Sequence, residues 1–213
     1  HTLDLKKSIR FPHSLGLLYS AFTYFNGFRV NSGEYKLMGL APYGEPKYVN
    51  TIYDHLIDVK DDGSFRLNLD YFNYHVGLTM TNRKFNKLFD AKPRKAETPI
   101  RQLDMDMAAS VQVVLEETVE KMAVQTRKEI DSDNLVLAGG VALNCVANGK
   151  LLRKQLYKNI WIQPASGDAG GALGAALYVW HQHLGNERKA DNVNDLQKGS
   201  FLGPVIPEDD VKK

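Results

Sequence analysis

Hydrophobic positions recur at helical spacing in the first third of the chain. The clearest run repeats at steps of three, four and three residues, and its members are Leu15, Leu18, Phe22 and Phe25. This spacing predicts a helix over residues 15–25 that buries one apolar face. Shorter helices are predicted over 34–40, 48–57 and 82–89.

A different periodicity lies between two of these predicted helices. Residues 57–60 and 65–69 alternate between apolar and polar side chains, and the stretch Asp61-Asp62-Gly63-Ser64 separates them. Alternation with a period of two around such a connection is typical of a β-hairpin. The first part of the chain is therefore predicted to be a mixed α+β segment.

The second half of the chain predicts helices and strands in alternation. A long helix is expected over 105–130, with a stripe made of Met107, Val111, Leu115, Thr118 and Met122. Two short apolar runs, 135–138 and 159–162, are typical of strands that are buried on both faces. Helices are expected after them, from about 142 to 155 and from 169 to 183. This order predicts a parallel α/β arrangement with both strand ends at one edge of the sheet.

The composition changes between these two zones. Fourteen of the 21 aromatic residues lie between Phe11 and Tyr74, whereas the second half is rich in Gly, Ala and Val. The charged stretch 91–99 contains two prolines and is the expected joint. We therefore predict an aromatic-rich α+β segment at 1–95, an α/β lobe at 96–204, and a tail or linker at 205–213.

The overall composition excludes several classes of protein. The chain has 213 residues, of which 43% are hydrophobic, and its formal net charge is +2. These values exclude a disordered chain and give no basis for expecting a nucleic-acid partner. No apolar run reaches the roughly 18–20 residues of a membrane helix, so no membrane partner is expected. A single cysteine excludes an internal disulfide and, with no leader visible, favours a cytoplasmic location.

Two glycine-containing turns follow the two predicted strands. They are Gly139-Gly140-Val141-Ala142-Leu143-Asn144 and Ser166-Gly167-Asp168-Ala169-Gly170-Gly171. Glycine lets a ligand approach the backbone, and the helix start after each turn offers N–H groups that suit phosphate. We therefore expect a nucleotide-binding cleft between the turns. The alternative is that the glycines only permit close packing of strand against helix. Neither turn matches a Walker A loop or the dinucleotide-binding glycine pattern.

Polar side chains near these motifs are candidate ligands. Asp168 has no lysine or arginine close in sequence, and a carboxylate beside phosphates requires a cation between them. Asp168 is therefore a candidate metal ligand or, alternatively, an ordinary helix N-cap. Asn144 is a candidate for binding a sugar hydroxyl or a phosphate, or for capping the next helix. Lys36 either reaches a phosphate or extends into solvent. Cys145 is expected to be a small buried residue.

Four ordered blocks carry a family resemblance. They are PHSLGLLYSAFTYF at 12–25, GEYKLMGLAPYG at 33–44, AGGVALNCVANG at 138–149 and SGDAGGA at 166–172. Together they resemble the O-carbamoyltransferases of the nodulation-protein NodU and antibiotic-tailoring type, from about Phe11 to Pro204. The resemblance implies an actin-like ATPase fold (ASKHA, ribonuclease H-like). The chain would be its second half, an α/β lobe with parallel strands and flanking helices behind the aromatic-rich segment.

The resemblance also implies an activity and its site. Such enzymes make carbamoyl-adenylate from carbamoyl phosphate and ATP, and transfer the carbamoyl group to a hydroxyl of a small sugar-like acceptor. A divalent metal, Fe(II) by the same resemblance, is implied to bind Asp168 and the histidines of an H-x-x-x-H block, which makes Asp168 the candidate catalytic residue. The residues implied to bind the nucleotide are Gly139, Gly140, Val141, Asn144, Gly167, Gly44 and Lys36.

The sequence departs from the full pattern of that family. It lacks the H-x-x-x-H block and the adenylate-forming domain, and it does not begin with Met. We therefore expect a piece of a longer protein, whose remaining domains are its partners and supply the other metal ligands. Two alternatives stay open. The protein is a relative that attaches threonylcarbamoyl to tRNA, or the isolated segment is a non-catalytic nucleotide-binding module.

Overall fold

A computed structural model of the protein describes residues 3–191, 193–207 and 209. Its helices are α1 (Leu15–Phe25), α2 (Glu34–Leu40), α3 (Val49–His55), α4 (Arg83–Leu88), α5 (Gln102–Glu129), α6 (Cys145–Arg153) and α7 (Gly170–Tyr178). Its strands are β1 (Ile57–Val59), β2 (Phe65–Leu67), β3 (Asn134–Leu137) and β4 (Asn159–Ile162). The predicted mixed α/β class is confirmed. Within the predicted tail, residues 208 and 210–213 lie outside the described residues.

Helix α1 forms as its sequence predicts. The Ser14 hydroxyl caps it by accepting a hydrogen bond from the Leu17 N–H at 3.2 Å. All four residues of the predicted apolar stripe are buried. The Phe22 ring packs edge-on against the Phe85 ring of α4, with 5.4 Å between ring centroids. Most aromatic residues of the first zone therefore belong to or pack against one core, whereas Phe11, Tyr35 and Tyr43 are exposed.

The hairpin and the short helices of the first zone are also confirmed. Strands β1 and β2 pair antiparallel, with Ile57 opposite Leu67 and Val59 opposite Phe65. The Asn82 side chain caps α4 by accepting from the Lys84 and Phe85 N–H groups. Helix α3 is shorter than the predicted 48–57, because Ile57 already belongs to β1.

Helix α5 packs against α1, α2 and α3 with its first half. The Asp104 carboxylate accepts the Arg101 N–H at 2.8 Å and pairs with the Arg101 guanidinium at 2.7 Å, which fixes the start of the helix. Four members of the predicted stripe are buried. The fifth, Met122, is 39% exposed. Gly63 of the hairpin turn packs closely on α5 here, since a Cβ at Gly63 would lie 2.4 Å from the Met122 nitrogen.

One hydrophobic core contains residues from both sides of the predicted joint. It unites α1 to α4, the hairpin and the first half of α5. The joint itself is held to this core by Arg94, whose Nε donates to the Asn26 carbonyl at 2.7 Å and whose guanidinium lies over the Phe28 ring. The division of the chain at residue 95 stays a prediction.

Strands β3 and β4 are parallel and adjacent, as predicted, with Leu137 opposite Ile162. One face of this pair packs against the second half of α5 and against α6. The other face is open among the described residues, where Val136 is 65% exposed and Trp161 is 49% exposed. The prediction of strands buried on both faces is therefore wrong, because a strand is buried only when elements cover both of its faces. Helix α7 has no buried residue either.

The helices after the glycine turns begin later than predicted. Gly140–Leu143 forms a tight 3-10 turn, and α6 starts only at Cys145 and ends at Arg153. Helix α7 starts at Gly170, and Val179–His183 continues it as a π-helical turn. No helix in the described part of the chain has the length and apolar character needed to cross a bilayer.

Candidate functional site: a cleft between two glycine turns

The two glycine turns meet in space, as predicted. The Gly139 N–H donates a hydrogen bond to the Ser166 carbonyl at 2.8 Å. The parallel pairing of β3 and β4 brings both strand ends to one edge, and each turn begins just beyond its strand. The carboxyl edge of a parallel sheet is where open α/β folds bind ligands.

The glycines of the turns face open space. A Cβ atom added at Gly139, Gly140 or Gly167 would meet no described heavy atom within 4 Å, neighbouring residues left aside. Gly139 also has a φ of +98°, which L side chains rarely adopt. The close-packing alternative is therefore wrong for these three glycines. It holds for Gly170, where a Cβ would lie 2.1 Å from the Ala165 carbonyl oxygen.

A cleft of about 780 Å³ lies between these turns and the first zone of the chain. Its volume falls within the roughly 300–1,000 Å³ of typical small-molecule sites. Six of the predicted site residues line it, namely Gly139, Gly140, Val141, Asn144, Gly167 and Asp168. The structure therefore brings most of the predicted nucleotide and metal residues to one cavity.

Asp168 lies at this cleft with an exposed carboxylate. The alternative that it caps α7 is wrong, since the N-cap position belongs to Ala169 and no side chain caps the helix. Among the described residues Asp168 has no ion-pair partner and no side-chain hydrogen bond. A single accessible carboxylate fits one coordination position of a divalent cation. Within the described residues no group of three or more His, Cys, Asp or Glu side chains could complete such a site.

Asn144 is buried and caps α6. Its Oδ1 accepts the Ala147 N–H at 2.9 Å, which confirms the capping interpretation. Its amide also bonds the side chain of Gln112 on α5. The prediction that Asn144 binds a nucleotide stays a prediction.

Lys36 and Gly44 do not line the cleft. Lys36 is exposed on α2. Gly44 lies against α5, where a Cβ would sit 2.1 Å from the Met105 carbonyl oxygen, so close backbone packing requires glycine there. Cys145 is exposed rather than buried, so that expectation is wrong, because the buried residues of α6, Ala147 and Leu151, lie on the opposite face of the helix.

The wall opposite the glycine turns carries a group of polar residues, called the polar wall below, which the sequence did not indicate. It includes Ser20, Asn31 and Glu34. Glu34 Oε1 accepts the Ser20 hydroxyl at 2.7 Å and the Asn31 N–H at 3.0 Å. Its other carboxylate oxygen has no partner among the described residues. The one feature of the sequence that could have indicated this polar wall is the turn before α2, Asn31-Ser32-Gly33.

The chain is similar to known proteins over most of its length. The family model for the carbamoyltransferase N-terminus matches residues 2–177, which include both glycine turns. An uncharacterized protein of Synechocystis sp. is 63% identical over 96% of this chain and 33% of its own length. Two relatives named as nodulation proteins are similar over most of the chain. NolNO of Sinorhizobium fredii is 36% identical over 94% of this chain and 28% of its own length. NolO of Bradyrhizobium diazoefficiens is 37% identical over 92% of this chain and 34% of its own length.

The chain spans about a third of the length of each of these three relatives. The match to the family model covers most of the chain and both walls of the cleft. The extent of this match shows that the chain belongs to the carbamoyltransferase family.

Proposed function

We propose that this segment is the nucleotide-binding and metal-contributing part of an O-carbamoyltransferase. The donor would be carbamoyl-adenylate, made from carbamoyl phosphate and ATP, and the acceptor a hydroxyl of a small sugar-like molecule. In the transfer, the acceptor oxygen bonds to the carbamoyl carbon while the bond from that carbon to the AMP phosphate oxygen breaks. The products are the carbamoylated acceptor, AMP and the hydroxyl proton.

The open glycine turns carry this proposal. Three glycines leave space for a ligand at the carboxyl edge of a parallel sheet, and helix α6 begins directly behind the first turn. Backbone N–H groups at such a place favour phosphate groups. We infer that the turns bind the phosphate and ribose of the adenylate and hold AMP as the leaving group.

The polar wall supports a hydroxylated acceptor. Glu34 is oriented by two donors on one oxygen, and it has no ion-pair partner among the described residues. A carboxylate in this state can accept a hydrogen bond from a ligand hydroxyl. We infer that the acceptor lies between Glu34 and the glycine turns.

Asp168 is the residue of this segment that would hold the metal, for which we propose Fe(II). A bound divalent cation would supply electrostatic stabilisation of negative charge on the phosphate and carbonyl oxygens. The carboxylate of Asp168 reaches the cleft and is neither capped nor paired among the described residues, so it fits this position. The remaining ligands would come from other parts of the polypeptide.

An open apolar surface supports the proposal that other domains of the same polypeptide pack against this segment. It comprises the outer face of β3 and β4 and the whole of α7, with Val136, Trp161, Leu173 and Leu177 exposed. Apolar surface of this extent is usually covered by another part of a protein. We propose that the remaining domains of a polypeptide as long as the relatives cover it, that these parts complete an actin-like fold, and that the protein is cytoplasmic.

No feature of the described residues favours the tRNA alternative. The net charge of +2 gives no electrostatic footprint for RNA. An assay that offers tRNA and small hydroxylated compounds side by side separates the two acceptors. We expect transfer to the small compounds alone.

Replacing Asp168 by alanine tests the proposed role of that residue. The experiment uses the full-length protein, meaning this segment within a chain as long as its relatives. We expect Asp168→Ala to lose bound iron and carbamoyl transfer, while formation of carbamoyl-adenylate continues. Asp58→Ala, which removes an exposed carboxylate of β1 far from the cleft, is the matched control and should change neither. Full transfer activity in Asp168→Ala would reject the role.

A further inference from the structure

Three buried polar side chains from three separate elements meet beside the cleft. Tyr19 lies on α1, Gln112 on α5, and Asn144 at the end of the first glycine turn. Their exposed fractions are 5%, 5% and 7%. Buried groups of this kind stabilise one arrangement only when all of them are hydrogen-bonded.

Gln112 uses all the hydrogen-bonding positions of its side-chain amide. Its Oε1 accepts the Tyr19 hydroxyl at 2.9 Å and the Asn144 Nδ2 at 2.9 Å. Its Nε2 donates to Asn144 Oδ1 at 3.1 Å and to Glu116 Oε1 at 2.8 Å. Both donors and both acceptor positions of the Gln112 amide are therefore occupied.

The partners fix the orientation of both amides. The Glu116 carboxylate accepts from the Gln112 NH₂ group, so that group must face it. The Ala147 N–H can only donate, so the Asn144 oxygen must face that group. The network therefore allows the Asn144 amide one orientation.

Two further interactions hold the ends of this network. Burial raises the pKa of Tyr19 well above its usual range, so its hydroxyl stays protonated and remains a donor. Lys150 of α6 pairs with Glu116 at 3.3 Å and so ties α6 to the carboxylate that accepts from Gln112. The network thus joins α1, α5 and α6 around the first glycine turn.

Capping of α6 does not require Gln112. The cap needs only Asn144 Oδ1 and the Ala147 N–H. The additional contacts join the Asn144 amide to α5 and, through Tyr19, to α1. They hold the end of the first glycine turn against two helices of the core.

We propose that Gln112 and Tyr19 are positioning residues, which hold Asn144, and with it the first glycine turn, in the arrangement that binds the phosphate of the adenylate. This inference rests on the proposed function. It adds which residues outside the turn orient it.

Two variants and one control test this inference in the full-length protein. Gln112→Met removes the whole network, and Tyr19→Phe removes a single hydroxyl from it. Thr118→Val is the control, because Thr118 is also buried on α5 but its hydroxyl, which donates to the Val114 carbonyl of the same helix, lies outside the network. The readouts are AMP affinity by calorimetry, amide hydrogen exchange over residues 139–147, and the midpoint of thermal unfolding.

We expect Gln112→Met to weaken AMP binding about tenfold or more and to speed exchange in 139–147 by about tenfold. Tyr19→Phe should show both effects at about threefold to tenfold. Thr118→Val should lower the unfolding midpoint without changing either of them. If the wild-type protein binds AMP and both network variants bind it equally well, the inference is wrong. If the wild-type protein does not bind AMP, the proposed function fails, while unchanged exchange in 139–147 would still reject the positioning role.

Discussion

The region around α1 and the region formed by β3, β4 and α7 differ in how they bury apolar residues. In the first, aromatic rings and the first half of α5 form a closed core with Phe22 and Phe25 fully buried. In the second, strands of equally apolar sequence leave Val136 and Trp161 exposed. The first region has its packing partners within the described residues, and the second does not.

The candidate site lies at the boundary between the closed core and the open surface. The glycine turns belong to the open region, whereas the polar wall around Glu34 belongs to the closed one. The network of Tyr19, Gln112 and Asn144 connects them. A closed core thus positions turns that lie at the open surface.

Truncating the closed core should give the largest loss of stability. Phe22 is fully buried and packs against Phe85 and Phe89. We expect Phe22→Ala to lower the free energy of unfolding by about 3–5 kcal/mol, measured by urea unfolding. A loss below about 1 kcal/mol would show that this core is not the closed one described above.

A buried carboxylate of the same region should give a smaller, pH-dependent effect. Burial acts to raise the pKa of Asp106, but hydrogen bonds from the Glu45 N–H, Gln102 and Lys47 outweigh it, so its pKa lies below the usual value. We expect Asp106→Asn to cost about 1–3 kcal/mol at neutral pH.

The sign of the pH dependence follows from the lowered pKa. The stabilisation from Asp106 is present above its unfolded pKa of about 3.9 and is lost as the pH falls through the lower folded value. The wild-type protein should therefore lose stability below about pH 4, and Asp106→Asn should lose less over that range. Equal acid sensitivity of the two proteins in urea unfolding at pH 7 and pH 3 would contradict this account.

A substitution on the open surface should have the smallest effect. Val136→Thr keeps the shape of a side chain that is 65% exposed on β3. In the 213-residue chain we expect a change within about 0.5 kcal/mol by the same urea measurement. In the full-length protein, where we propose that other domains cover this face, the cost should rise to about 1–3 kcal/mol, because the added hydroxyl would be buried. Equal costs in the two proteins would remove the proposed difference between the regions.

The sequence was sufficient for features that depend on local pattern. The stripe of α1, the hairpin around Gly63 and the two glycine turns were all predicted, because periodicity and turn chemistry act over a few residues. The meeting of the turns also followed, since parallel strands bring their ends to one edge. The actin-like assignment and the division at residue 95 remain predictions.

Other features depend on contacts between distant residues. Tyr19 and Gln112 are 93 positions apart, and no periodicity indicates that their side chains share a hydrogen bond. The apolar runs of β3 and β4 correctly predicted strands but not their exposure, because burial depends on partners that a strand's own sequence does not specify. Asp168 does not cap a helix because α7 begins two residues after it, and a motif alone does not fix that start.

The central claim is that the glycine turns face a bound nucleotide. The substitution Gly167→Val tests this claim most directly. Gly167 has no positive φ, and its Cβ would meet no described heavy atom within 4 Å beyond its neighbouring residues, so the substitution should leave the unfolding midpoint unchanged. In the full-length protein, calorimetry with AMP should show binding weakened by about tenfold or more, because the side chain would occupy the ligand's space. Unchanged AMP affinity in a folded Gly167→Val protein would contradict the account.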